Sequence, residues 1–255
     1  MSTSAKTVFV TGVTSGFGAA IARKFAADGW RLIGTGRRAD RLAALAEELS
    51  TQTDVHTLTL DVRDRAKVAD VMNSLPEEFR NIHTLVNNAG LALGLEPAQD
   101  VNLDDWDTMI DTNIKGLTYM TRAILPTMIR VGGGTVINIG SIAGSYPYPG
   151  GNTYGGTKAF VHQFSLNLRN DLHGTGVRVT SLEPGLAETE FSIVRFGGDQ
   201  AKAGTVYAGA DPLVADNIAD AALWVAKAPA NVNYNVVEMM ATGQSWSPFN
   251  IHRSG

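Results

Sequence analysis

Cysteine is absent from the 255 residues, which excludes disulfides, thiol nucleophiles and thiolate metal sites. No apolar run reaches the length of a membrane span. The opening stretch, Met1 to Thr7, is polar and lacks the apolar core of a secretion signal, so a cytoplasmic location is the expectation. Runs of Lys and Arg are missing too, and the formal net charge is -4, which argues against a nucleic-acid partner. The histidines, His56, His83, His162, His173 and His252, form no ligand-spaced cluster, so no metal is expected. His162 stands one turn beyond Lys158 and reads as structural. What remains is an ordinary globular composition, 44% hydrophobic and 18% charged, with enough apolar mass for a large core.

Short β-branched runs alternate with longer helical patterns. Strands are predicted over Thr7–Val10, Arg31–Gly34, Val55–Leu60, Thr84–Val86, Thr135–Ile139, Val177–Leu182 and Tyr234–Met239. Helices are predicted between them, among them Phe17–Asp28, Asp40–Leu49, Asp64–Leu75 and Asn152–Leu172. In the second, Leu42, Leu45 and Leu49 recur at helical spacing. Strict alternation of strand and helix implies right-handed crossovers and a doubly wound parallel sheet with helices on both faces. No linker or repeat divides it, so 1–255 is expected to be a single α/β domain of about seven strands. Gly185 to Ala210 shows no clear period and carries Gly197, Gly198 and Gly209. Long loops of this kind are functional or disordered, and residues 186–212 are expected to form a lid. The tail, 242–255, carries Trp246, Pro248 and Phe249, an apolar set that favours docking near the site over standing in water.

The first strand runs into Thr11-Gly12-Val13-Thr14-Ser15-Gly16-Phe17-Gly18, where a helix begins. Gly12 permits a tight turn, Gly16 lets the backbone approach a pyrophosphate, and Gly18 lets helix and strand sit close. The helix N-terminus then offers free N–H groups to the anion. Glycine spacing alone also describes an ordinary turn; its position between the first strand and a helix favours a nucleotide site. The second strand runs into Gly36-Arg37-Arg38. An acid here would take the ribose hydroxyls of NAD, whereas Gly36 with Arg37 and Arg38 suits a 2′-phosphate held by forked charge-assisted bonds. A solvated basic turn is the plainer alternative.

Tyr154 and Lys158 stand four apart in a helical stretch and share a face. A neighbouring ammonium favours the phenolate, which makes proton exchange with a substrate oxygen feasible. Ser141 follows a strand at its carboxyl end, where its hydroxyl can reach the same oxygen. Asn113 lies in a long helix among Ile110, Ile114 and Leu117, and its amide calls for a partner. Each alone has a bland reading, as a surface pair, a cap or a solvated amide. Their joint order downstream of the cradle carries the weight.

Together, Thr11 to Gly18, Leu60-Asp61-Val62, Asn87-Asn88-Ala89-Gly90, Asn113, Ser141, Tyr154-Gly155-Gly156-Thr157-Lys158 and Pro184-Gly185 resemble the short-chain dehydrogenase/reductase family across nearly the whole chain. The resemblance implies a Rossmann-type domain, an NADP(H) cofactor, and commonly a homotetramer. It implies that Tyr154 is the general acid in reduction and the base in oxidation. Lys158 would bind the nicotinamide ribose and hold the Tyr pKa down, Ser141 would orient the substrate oxygen, and Asn113 would hold a relay water. Gly12, Thr14, Ser15, Gly16, Phe17 and Gly18 would cradle the pyrophosphate. Asp61 and Val62 would flank the adenine. Asn88, Ala89 and Gly90 would line the ribose side, with Pro184, Gly185 and Thr189 beside the nicotinamide.

Leu91-Ala92-Leu93-Gly94, Ser145-Tyr146-Pro147-Tyr148, Phe191 to Phe196 and the tail Glu238 to Arg253 resemble one branch, the NADP-dependent serine / 3-hydroxy acid dehydrogenases and the related sulfoacetaldehyde reductases. Pro149 and Trp246 depart modestly from that branch. The resemblance implies a small acidic aldehyde or hydroxy acid as the substrate, and Arg195 and Tyr148 are its expected anchors beside Ser141 and Tyr154. From another class, an idle nucleotide-binding or sensor protein would share the fold, but it need not keep Asn113, Ser141, Tyr154 and Lys158 together.

Overall fold

The computed structural model describes residues 5–246 and 250–251. Its first strand, β1 (Thr7–Thr11), explains the architecture. Val8, Phe9 and Val10 are all fully buried, and successive side chains leave opposite faces of a strand. A run apolar at every position therefore belongs to a sheet covered on both sides. Val8 and Val10 pack with Ile21, Phe25 and Leu32 in one core, whereas Phe9 packs with Ile33, Leu85, Met120 and Ile124 in the other.

The elements that build these layers follow in alternation. They are α1 (Gly16–Ala27), β2 (Arg31–Gly36), α2 (Ala39–Leu49), β3 (Val55–Thr59), α3 (Arg65–Ser74), β4 (Ile82–Asn87), α4 (Leu103–Ile110), α5 (Leu117–Arg130), β5 (Gly134–Ile139), α6 (Asn152–Asp171), β6 (Val177–Pro184), α7 (Glu190–Arg195), α8 (Gln200–Tyr207), α9 (Ala215–Ala226) and β7 (Val236–Met239). The seven strands are parallel in the order β3-β2-β1-β4-β5-β6-β7. The order reverses between β1 and β4, and ligands of such sheets bind at that crevice, beyond the carboxyl ends of the strands.

Two segments differ from the sequence expectation. The long helix around Asn113 is interrupted by a π-helical turn, Asp111–Gly116, between α4 and α5. Periodicity cannot reveal this, because one inserted residue leaves the apolar spacing on either side intact. The region expected to be irregular after Gly185 carries α7 and α8. Each buries a single side chain, Ser192 in α7 and Ala203 in α8, so neither shows an apolar stripe. The base of this region is a short parallel ladder of Ala187–Glu188 on Leu213–Val214, and Tyr207 OH donates to the Ala187 carbonyl (3.0 Å).

Candidate active site

A cleft opens at the switch point, lined by the turn after β1, the ends of β2, β4, β5 and β6, and the start of α7. Gly12 bends the chain with φ 73°, a conformation that side chains disfavour. A Cβ on Gly18 would lie 2.2 Å from the Gly12 carbonyl oxygen, so only glycine lets α1 begin this close to β1. Asn88 braces the same turn, its Nδ2 donating to the carbonyls of Thr11 (2.8 Å) and Gly12 (3.2 Å). Thr11 Oγ1 accepts from the backbone N–H groups of Asn88 and Ala89. The result is a rigid cradle at a helix N-terminus, open to an anion.

Beside it, Arg38 folds back on the cradle. Its Nη2 donates to Thr14 Oγ1 (2.9 Å) and Ser15 Oγ (2.9 Å). Gly36 sits beneath, where a Cβ would lie 2.6 Å from Thr14 Cγ2. Arg41, which sequence reasoning passed over, joins from the first turn of α2 with Nη1 on both Glu190 oxygens (3.1 and 3.0 Å). Glu190 also lies 3.7 Å from Arg38. The spacing of Arg41, three residues beyond Arg38, was a usable signal; Glu190, far away in the chain, offered none. Asp61 lines the cleft and is held below the usual carboxylate range, first by its hydrogen bonds from Arg63.

Of the expected cofactor residues, Gly12, Thr14, Ser15, Gly16, Phe17, Arg37, Arg38, Asp61, Val62, Asn88, Ala89, Gly90, Tyr154, Lys158, Pro184, Gly185 and Thr189 all line this one cleft. Gly18 lies behind it. Thr189 stands against Gly16, where a Cβ would be 3.6 Å from it, and caps α7 through Oγ1 (3.1 Å to the Phe191 N–H). The cradle, the absence of a Cβ at Gly36 and the paired arginines fit a dinucleotide bearing a 2′-phosphate.

At the inner end, Ser141 caps the short turn after β5, its Oγ accepting from the Ala143 N–H (3.1 Å) and donating to the Pro184 carbonyl (3.4 Å). Lys158 Nζ donates to the Ile139 carbonyl (2.7 Å) and lies 5.7 Å from the centre of the Tyr154 ring. Burial pushes the Tyr154 phenol up to about 12, and the charge of Arg195 is the largest effect pulling against this. Burial pushes the Lys158 ammonium down to about 8, opposed by the charge of Glu183. The expectation that Lys158 holds the Tyr154 pKa down is not met: burial raises the phenol, and the charge that opposes this comes from Arg195, on a distant element that sequence reasoning did not connect to it.

Asn113 lies outside the cleft lining but beneath it. Its Nδ2 donates to the Leu91 carbonyl (2.8 Å) and Thr157 Oγ1 (3.0 Å), and its Oδ1 accepts from the Leu91 N–H (2.9 Å). These bonds supply the partner that the buried amide required. They also tie the π-turn to α6, one residue from Lys158. Arg195 turns inward from α7. Its Nη2 donates to Tyr148 OH (2.6 Å), and its guanidinium carbon lies 5.1 Å from the Tyr154 ring centre. Arg195 Nε is buried without a partner among the described residues. His162, read as structural, meets the buried carboxyl of Glu183 at 2.7 Å.

In the tail, Gln244 is buried and its Oε1 accepts from the Leu186 N–H (2.8 Å), so the tail docks at the base of the 186–212 segment. Trp246 departs from expectation. It is 59% exposed, tethered through Nε1 to Glu238 Oε1 (3.0 Å). Its polar edge finds a carboxylate, and the ring stays in water. The Pro248 and Phe249 positions and His252 lie outside the described residues. Among the described residues no helix is long and apolar enough to cross a membrane, and no group of three or more His, Asp or Glu could hold a metal ion.

Comparison with known proteins agrees with the geometry. The short chain dehydrogenase family model matches residues 6–196, and the chain belongs to that family. It is an oxidoreductase of this class. It is 58% identical over 247 residues, covering 96% of this chain and 98% of the relative, to sulfoacetaldehyde reductase 2 of Chromohalobacter salexigens. It is 58% identical to the NADP-dependent 3-hydroxy acid dehydrogenase YdfG of Salmonella typhi, covering 97% of this chain and 99% of that one. Among solved structures it is similar to a serine dehydrogenase in a closed form complexed with NADP+, with a TM-score of 0.92 and 55% identity over 97% of this chain and 100% of that chain.

Proposed function

We propose that the protein interconverts a small acidic aldehyde and its hydroxy acid with NADP(H). The pair would be serine or a 3-hydroxy acid with malonic semialdehyde or its analogue, or isethionate with sulfoacetaldehyde. The cofactor is NADP(H). When bound, NADPH supplies the hydride that reaches the carbonyl carbon. Gly12, Thr14, Ser15, Gly16, Phe17 and Gly18 cradle its pyrophosphate, and Arg37 and Arg38 take the 2′-phosphate, with Arg41 joining them. Asp61 and Val62 flank the adenine. Asn88, Ala89, Gly90 and Lys158 serve the ribose side, and Pro184, Gly185 and Thr189 the nicotinamide.

Tyr154 donates its proton to the carbonyl oxygen. A phenol raised by burial holds that proton firmly at neutral pH and releases it only to an oxygen gaining negative charge. Ser141 steadies the same oxygen. Lys158, near a pKa of about 8, is mostly protonated at neutral pH and supplies the positive field. Asn113 holds α6 and the Leu91 backbone in register around it.

Arg195 carries the substrate assignment. A guanidinium fixed beside the acid, bonded to Tyr148 and with a buried Nε–H that has no partner among the described residues, suits a carboxylate or a sulfonate. Segment 186–212 closes over this anion as a lid, and the tail 242–255 braces it through Gln244. The names of the relatives, sulfoacetaldehyde reductase and 3-hydroxy acid dehydrogenase, support the same substrate class. The reading extends to a homotetramer in the cytoplasm on the strength of the family resemblance. The test compares initial rates of Arg195→Ala and parent protein on an acidic aldehyde and a neutral one of equal size. Loss of a charged hydrogen bond should cut kcat/KM for the acidic substrate by about 10²-fold more than for the neutral one, which feels only the loss of Arg195's charge beside the Tyr154 phenol. An equal loss on both would show that Arg195 acts through Tyr154 or the lid and not on the substrate's charge.

A further inference from the structure

Glu183 is only 2% exposed, and the chemistry outlined above does not use it. A carboxyl taken out of water requires partners. It has two that fix it: Ser181 Oγ donates to Oε1 (2.6 Å), and His162 Nδ1 lies 2.7 Å from the same oxygen. These partners locate it behind the reacting centre. His162 and Lys158 share one face of α6, a turn apart. Lys158 Nζ bonds the carbonyl of Ile139, the last residue of β5. Glu183 packs on the next residue, where a Cβ on Gly140 would lie 2.8 Å from Glu183 Cγ and 3.4 Å from Oε1. Ser141 follows directly. The carboxyl and the ammonium thus border neighbouring residues of one corner of β5, close enough for their charges to act on each other without an ion pair within 4.0 Å.

We propose that Glu183 is the counter-ion of Lys158, a positioning residue whose negative charge holds the lysine ammonium charged at the reacting centre, with Ser181 and His162 fixing its direction. This rests on the role given to Lys158 above. The other groups facing Glu183 do not replace it. Glu238, its register neighbour on β7, is exposed and accepts from Trp246 Nε1. Tyr146 follows β5, and its phenol is raised by desolvation first, then by the charges of Glu238 and Glu183. Neither brings a cation to offset the burial of Lys158. The opposing influence of Glu183 on that burial has the sign that a counter-ion requires.

The full-length protein labelled with 13C at lysine Cε allows Lys158 to be titrated directly by NMR, its signal identified by its loss in Lys158→Met. In Glu183→Gln, which keeps shape and hydrogen-bonding capacity, the Lys158 midpoint should fall by about one pH unit, the usual effect of removing a nearby opposite charge. The alkaline limb of kcat/KM for NADPH should move down with it. Glu183→Asp, which keeps the charge, should lie between the two proteins. A Glu183→Gln midpoint equal to the parent's would overturn the proposal. Should that variant fail to fold, a Glu183→Asp midpoint at or above the parent's would overturn it equally. A parent protein that reduces no aldehyde would sink the reductase reading alone, because the midpoint still decides the counter-ion.

Discussion

Tyr154 and Lys158 sit on one buried face of α6, and burial moves them in opposite directions, the phenol up to about 12 and the ammonium down to about 8. The pair therefore reaches neutral pH with the phenol loaded and the lysine still charged, the protonation states that reduction requires. Tyr154→Phe keeps the ring that packs near Phe191 (5.7 Å between centres) and removes only the proton. Turnover should fall by about 10²- to 10⁴-fold, while NADPH affinity, read by fluorescence titration, stays close to the parent's. Near-parental turnover would mean that another group is the acid. At the opposite end of the cleft, Gly36→Asp would set a carboxylate against the 2′-phosphate and a Cβ 2.6 Å from Thr14 Cγ2. The KM for NADPH should rise by about ten- to a hundredfold, the worth of a charged hydrogen bond, with NADH affected less. A parallel rise for both cofactors would point to the steric clash alone.

Elements differ in how much of themselves they wrote into the sequence. β1 and β2 are apolar on both faces and end in glycine turns, and α2 carries Leu42, Leu45 and Leu49 on one stripe, so their identity was plain. α7 and α8 have no stripe, because each buries a single side chain, and their register comes from Thr189 and Asp199 caps that look like ordinary loop residues. The π-turn was hidden for the opposite reason: the amphipathic pattern continues through it, and only the bonds of Asn113 to Leu91 and Thr157 reveal what it is for. The tail was read from its aromatic residues, yet the described contact is made by a polar one, Gln244. Gln244→Ala leaves the half-buried Leu186 N–H without its acceptor, the loss of one hydrogen bond worth about 1 kcal/mol at the base of the 186–212 segment. The aldehyde KM should rise while thermal stability changes little. An unchanged KM would show that the lid base is held without the tail.

At the scale of the whole molecule, the sheet order sets the site. Reversal between β1 and β4 opens one crevice at the carboxyl ends of the strands, and residues as far apart in the chain as Gly12 and Thr189 converge there. Their combination was legible because each occupies a strand end or a helix start that the alternating pattern had already located. Substrate identity was less legible, since Arg195 acquires its meaning only when α7 folds inward against Tyr148 and Tyr154. The activity proposed for this cleft is NADPH-dependent reduction of a small acidic aldehyde. It is tested most directly by following NADPH absorbance with the purified protein and a panel of malonic semialdehyde, sulfoacetaldehyde and a neutral aldehyde of equal size. Rapid oxidation of NADPH, well above that of NADH, is expected with at least one of the two acidic aldehydes, and much slower oxidation with the neutral one. No oxidation above background with either acidic aldehyde, or equal rates with all three, would contradict it.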